Sequence, residues 1–291
     1  MNTEMAYLLG MILGNGEIQQ GINETVVTID IPHKNLYTDD EKDVRVYVKA
    51  SLMDIRQIVE PLIGTDISYT QSRKSTSISF KKSNAEYVMR QILHYVGNGS
   101  KHAYMEMNDD LFNIKKDEKK ALLRGMADVT GYIRRSNLAY GVAGAHRVYI
   151  EIPCNWKMVI DVANLLKDID VPIQNIDFGH PNFRDSNLKK YNSGQKLYWK
   201  KEHQIKIYAN EFLPIGFSIS HKQEALIKYS KELLNHMSPE TTHKFYWQKN
   251  NKVNKIKPIH PGENDSSLPT SIRGKHYNSW TELAKDLGYH E

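Results

Sequence analysis

The sequence predicts an α+β fold built from two copies of one α-β-β-α-β-β-α unit. Three observations carry that prediction. A short, glycine-bearing apolar motif occurs twice. Each copy is followed by an alternating strand that closes on proline. Further helical and strand-like segments then follow in the same order in both halves. At 291 residues the chain is long enough for two small units sharing an interface.

The motif copies are AYLLGMILGNGEI at residues 6–18 and ALLRGMADVTGYI at residues 121–133. Gly10 matches Gly125, Met11 matches Met126, Gly16 matches Gly131 and Ile18 matches Ile133. Residues 5–14 are almost wholly apolar, with Gly10 and Gly14 four apart. A helix-interior glycine costs about 1 kcal/mol against alanine. Two on one face therefore imply close backbone approach to a neighbour, and Gly125 repeats the feature. Helices over 4–15 and 119–130 are expected to pack through these small faces and to join the units about a pseudo-twofold axis. An ordinary buried helix hairpin is the plainer alternative.

After each motif comes a strand with alternating apolar and polar residues, Val27–Pro32 and Val148–Pro153. Each ends on Pro, which cannot donate to a ladder. Helical spacing follows at 51–63 and 155–167, strands at 66–70, 76–81, 173–178 and 203–209, and closing helices near 83–96 and 221–236. The expected organisation is a first unit over 1–97, a linker over 98–117, a second unit over 118–237 and a basic extension over 238–291. Residues 182–200 read as a polar loop. Within the extension, residues 239–275 hold seven Lys or Arg against three Asp or Glu around Phe245, Tyr246 and Trp247. That composition suits a segment that follows phosphates. A capping box at Ser279–Glu282 opens a short terminal helix ending at Gly288.

Composition narrows the function classes. Net charge is +5, a mild excess compatible with nucleic acid. No apolar run reaches the length of a membrane span, and the start of the chain lacks a signal-peptide pattern, so an intracellular, cytoplasmic monomer is expected. The single cysteine, Cys154, excludes an internal disulfide and a cysteine-rich zinc site. The 12 histidines show no metal-ligand spacing, and His180 reads as a loop residue.

The paired stretches Leu8–Gly16 and Leu123–Gly131 resemble the motifs of LAGLIDADG homing endonucleases, over about residues 3–237. The resemblance implies a DNA-binding saddle of two four-stranded antiparallel sheets in the major groove of double-stranded DNA, with the motif helices at the centre. It also implies hydrolysis of both strands with a divalent cation such as Mg²⁺, held by an acid just before each closing glycine. Here those positions are Asn15 and Thr130, neither a carboxylate. Asp128 and Glu17 are the nearest acids, and they become the candidate replacements, with Asn15, Asp128 and Glu17 as candidate metal ligands. The plainer reading is a capping residue of the motif for Asp128 and an exposed strand residue for Glu17.

A sheet that reads DNA carries Arg, Lys, Asn and Gln. Candidate contacts are Gln19, Gln20, Arg73, Lys74 and Lys81 in the first unit. In the second they are Arg134, Arg135, Asn137, Lys201, Gln204 and Lys206. A solvated sheet face with alternating charge is the plainer reading of any one of them. Two functions follow: a DNA endonuclease of homing or restriction type, or a nuclease-dead DNA-binding regulator or RNA-binding intron maturase.

Overall fold

The computed structural model describes residues 1–38, 44–64, 67–96, 99–135, 146–153, 155–178, 202–236, 256–258, 270–272 and 275–277. The expectations for Cys154, Asn137, His180, the 182–200 loop, Lys201, Phe245–Trp247 and the terminal helix lie outside these residues.

The chain opens with α1 (Thr3–Asn15), capped by the Asn2 side chain, which accepts the Met5 N–H at 2.9 Å. Every residue from Met5 to Gly14 is buried. A helix that is apolar all round must be enclosed on all sides, and its partner is α4 (Lys116–Thr130), the helix of the second motif. A Cβ on Gly10 would lie 1.9 Å from the Leu122 carbonyl oxygen, and one on Gly125 would lie 2.0 Å from that of Tyr7. The two helices therefore touch backbone to backbone, a contact that only glycine permits. The packing expected from Gly10 and Gly125 is what the structure contains.

Each motif helix runs directly into a strand. The first sheet holds β1 (Gly16–Gln20), β2 (Glu24–Pro32), β3 (Ser68–Gln71) and β4 (Ser75–Ser83) in the order β1-β2-β4-β3, all antiparallel. The second holds β5 (Gly131–Arg134), β6 (Arg147–Pro153), β7 (Asn175–Phe178) and β8 (Glu202–Tyr208), with β9 (Ile256–Pro258) added parallel to β7. Its order is β5-β6-β8-β7-β9. It is thus a five-stranded sheet, where the family resemblance implied four strands. The fifth strand comes from the C-terminal region. A separate hairpin pairs β10 (Thr270–Ile272) with β11 (Lys275–Tyr277).

The registers of the two sheets correspond. Gly16 pairs with Ile29 and Gly131 with Ile150. Val27, Ile29, Ile31, Ile78 and Phe80 turn one face of the first sheet into the core, under α1, α2 (Val44–Ile63) and α3 (Tyr87–Tyr95). Val148, Ile150, Ile152, Ile205 and Ile207 do the same in the second, under α5 (Trp156–Asp168) and α7 (Ser220–His236). The short α6 (Ala209–Phe212) precedes α7 and was not expected. Helix α2 begins at Val44, seven residues before the periodic segment that the sequence marked. The opposite face of each sheet carries the polar residues of the alternation. No helix among the described residues is long and apolar enough to cross a membrane.

This packing makes two measurable demands. Gly125→Ala should lower stability by about 3 kcal/mol in urea unfolding, the upper range for overpacking, although alanine normally improves a helix. His203 is fully buried, and burial pushes its imidazole pKa down to about 3. The unfolded chain binds this proton near pH 6.5 and the folded chain does not. Its contribution is therefore complete above that pH and is lost as pH falls toward 3, at about 1.4 kcal/mol per pH unit. The urea midpoint should drop more steeply between pH 6.5 and 5 in the wild type than in His203→Leu.

Candidate nucleic-acid interface

The helix ends and the polar sheet faces form one continuous region, because α1 and α4 each pass straight into the first strand of a sheet. At the end of α1, the Asn15 amide donates to the Asp30 carbonyl oxygen at 2.5 Å. At the end of α4, the Thr130 hydroxyl is buried and donates to the Met126 carbonyl oxygen at 2.8 Å. Both side chains therefore serve the backbone beside them.

Asp128, a candidate replacement for those acids, lies in the interior. It is fully buried, with its carboxylate accepting the Tyr7 hydroxyl at 2.8 Å and the Ser218 N–H at 3.0 Å. Burial raises its pKa, and the nearby Lys222 ammonium pulls the other way. Lys222 is buried too, 4.0 Å from Asp128, and burial brings its pKa down to about 8. Its ammonium donates to the carbonyl oxygens of Ala127 at 3.1 Å and Gly131 at 2.9 Å. A cation there complements the negative end of the helix dipole. In this protein, Asp128 and Lys222 are interior groups that hold α4 against α7. The acid is closed off from any phosphate.

Glu17 is half-exposed on the polar face of β1 and pairs with Lys101 at 3.6 Å. Lys101 belongs to a segment that lies along β1, with the Ile18 N–H donating to the Ser100 carbonyl and the His102 N–H to that of Gly16. Two further carboxylates were not among the sequence candidates. Asp30 and Glu151 occupy matching registers, each one residue beyond the partner of the motif's closing glycine. The aligned strands Val27–Pro32 and Val148–Pro153 already held that signal. Asp30 accepts the Ser77 hydroxyl at 2.9 Å. Glu151 is buried and receives the Lys34 ammonium at 2.5 Å, the Tyr132 hydroxyl at 3.0 Å and the Gln204 amide at 3.0 Å. Lys34 comes from the turn after β2, so this pair ties the first half of the chain to the second.

These donor sets do not fit the Mg²⁺ that the resemblance implies. Neither helix end offers a carboxylate, Asp128 is enclosed, and Glu17 and Glu151 are each tied to a lysine. Among the described residues, no three His, Cys, Asp or Glu side chains gather into a group that would hold a metal.

The candidate DNA contacts divide by position. Gln19, Lys81, Arg134 and Lys206 fall on the polar faces, and Gln19, Lys81 and Arg134 are exposed. Gln204 shares that face but is buried under its bonds to Glu151 and Tyr132. Gln20 is exposed at the end of β1. Arg73 and Lys74 are exposed in the turn between β3 and β4. Arg135 lies just past β5, its guanidinium 5.5 Å from the Tyr229 ring centroid. Arg147 was not among the sequence candidates, yet it pairs directly with Arg134 across the β5–β6 ladder.

No family model matches the sequence, and no curated protein matches it. Solved structures do. The homing endonuclease I-DmoI, solved in complex with DNA and Mn, is 14% identical over 76% of this chain and 96% of that chain, with a TM-score of 0.39. Full-length WhiA from Thermotoga maritima is 11% identical over 84% of this chain and 64% of that one, with a TM-score of 0.43. The N-terminal LAGLIDADG domain of WhiA is 11% identical, covering 82% of this chain and 84% of that chain, with a TM-score of 0.35. All three likenesses are distant ones between proteins of mixed helices and antiparallel sheets.

If Asp128 is an interior group, Asp128→Ala should cost about 3–5 kcal/mol in chemical denaturation, because it leaves the Lys222 charge buried without its partner. A surface acid at a phosphate site would cost little stability and would change nucleic-acid binding instead.

Proposed function

We propose that this chain is a double-stranded DNA-binding protein that lays the polar faces of its two sheets against the duplex and does not cut it. The observation that carries the second half of this reading is the state of the helix ends. Asn15 and Thr130 stand where a hydrolytic centre of this kind needs acids, and both side chains bond to backbone carbonyls. Cleavage of a phosphodiester by metal-bound water needs carboxylates to gather the cation, and these positions supply none. The first half rests on the paired motifs, the outward polar faces and the exposed cations on and beside them. Arg and Lys on strands suit phosphate contacts and base edges in the major groove.

The endonuclease reading keeps one observation in its favour. Glu17 is a half-exposed acid immediately after the first motif, on the same face as Asp30. A cleavage assay on a random plasmid library with Mg²⁺ and with Mn²⁺, run beside a duplex-binding assay, separates the two. Binding without nicking is expected in both metals. Nicking that disappears in Glu17→Gln would establish the enzyme instead. Preference for RNA over duplex DNA would favour the maturase function.

A further inference from the structure

The matching registers allow the two polar faces to be compared position by position. In the second sheet, six neighbouring positions carry Tyr132, Arg134, Arg147, Tyr149, Lys206 and Tyr208. Arg134 pairs with Arg147, Tyr132 and Lys206 each pair with Tyr149, and Arg147 pairs with Tyr208. In the first sheet the corresponding positions are Glu17, Gln19, Val26, Thr28, Ser79 and Lys81. Three cations and three tyrosines thus stand opposite an acid, four uncharged residues and one lysine.

The cations of the second face are held in a fixed arrangement. The Arg134 guanidinium lies 4.4 Å from the Tyr132 ring centroid, that of Arg147 5.5 Å from Tyr208, and the Lys206 ammonium 5.9 Å from Tyr149. The rings of Tyr132 and Tyr149 stack at 5.0 Å. A cation over an aromatic face keeps its charge and is steadied by the ring quadrupole. Arg134 and Arg147 stand directly opposite each other, a cross-strand like-charge pair that destabilises a sheet unless an anion lies between them. The Arg147 Nε is buried without a hydrogen-bond partner. No acid occupies any of the six positions.

We infer that this corner of β5, β6 and β8 is the phosphate grip of the molecule, so that the two sheets contribute unequally to the duplex. The second sheet supplies most of the electrostatic affinity, through two or three phosphodiesters of one half-site. The first sheet meets its half-site with hydroxyl and amide groups and little net charge. The inference rests on the duplex-binding reading above and adds which half holds the backbone.

Binding of the full chain to a random-sequence 30-base-pair duplex, followed by fluorescence anisotropy across a NaCl series, tests this grip. For the wild type, log K should fall linearly with log salt. The double variant Arg134→Gln, Lys206→Gln should bind at least tenfold more weakly at low salt. Its slope should be shallower by about 1.8, at roughly 0.9 for each phosphate no longer neutralised. The double variant Gln19→Ala, Lys81→Gln, on the equivalent part of the first face, should weaken binding and flatten the salt slope clearly less than the second-face double variant does. Arg134→Lys keeps the charge and should restore most of the binding that Arg134→Gln removes, which separates loss of charge from loss of fold. Equal losses on the two faces, or a double variant with an unchanged slope, would overturn the inference and leave duplex binding standing. A wild type with no salt-dependent duplex binding would overturn both.

Discussion

The backbone contact between α1 and α4 is the constraint on which the rest of the molecule depends. Gly10 and Gly125 let each helix set a bare backbone against a carbonyl of the other, and any side chain there would force them apart. Because Asn15 runs into Gly16 and Thr130 into Gly131 without an intervening loop, fixing the helices also fixes where both sheets start. The polar faces of the sheets are placed by the same contact that fills the centre of the core. Cross-ties add to it. Lys34 reaches Glu151, and the Asn35 amide donates to the Val129 carbonyl at 2.9 Å.

The proposed absence of cleavage rests on the helix ends. The carbonyl groups that finish α4 are occupied from within the protein, by Asn35, by Lys222 and by Thr130 itself. A buried ammonium under the end of a helix neutralises its partial negative charge without any external ion. In the proposed complex, where the polar faces lie against phosphates, uncharged side chains at Asn15 and Thr130 add no repulsion toward them.

Much of this was legible in the sequence. The repeated glycine motif foretold the helix pair, because a glycine kept inside a buried helix marks a place where another backbone comes close. Alternation over Val27–Pro32 and Val148–Pro153 foretold which side chains turn away from the core, and the strand register puts Asp30 and Glu151 on that side, where Lys34, Tyr132 and Gln204 bury Glu151. The failures have a common cause. Whether Asp128 is open or enclosed depends on Ser218 and Lys222, about ninety residues away in sequence. Alternation places Gln204 on the polar face but cannot show that Glu151 and Tyr132 cover it. Arg147 stood unremarked because its meaning comes from Arg134 across the ladder. A three-residue parallel strand such as β9 has no local pattern strong enough to mark it.

In the proposed complex a duplex lies against the polar sheet faces and away from the helices behind them. Hydroxyl-radical footprinting of the protein, read by mass spectrometry with and without duplex, tests that placement directly. Tyr149 is partly exposed on the polar face of the second sheet, and Met53 is 54% exposed on α2 behind the first. Oxidation of Tyr149 should fall several-fold on adding duplex while that of Met53 stays unchanged. Protection of Met53 with Tyr149 unaffected would put the nucleic acid on the wrong side of the molecule and contradict the proposed complex.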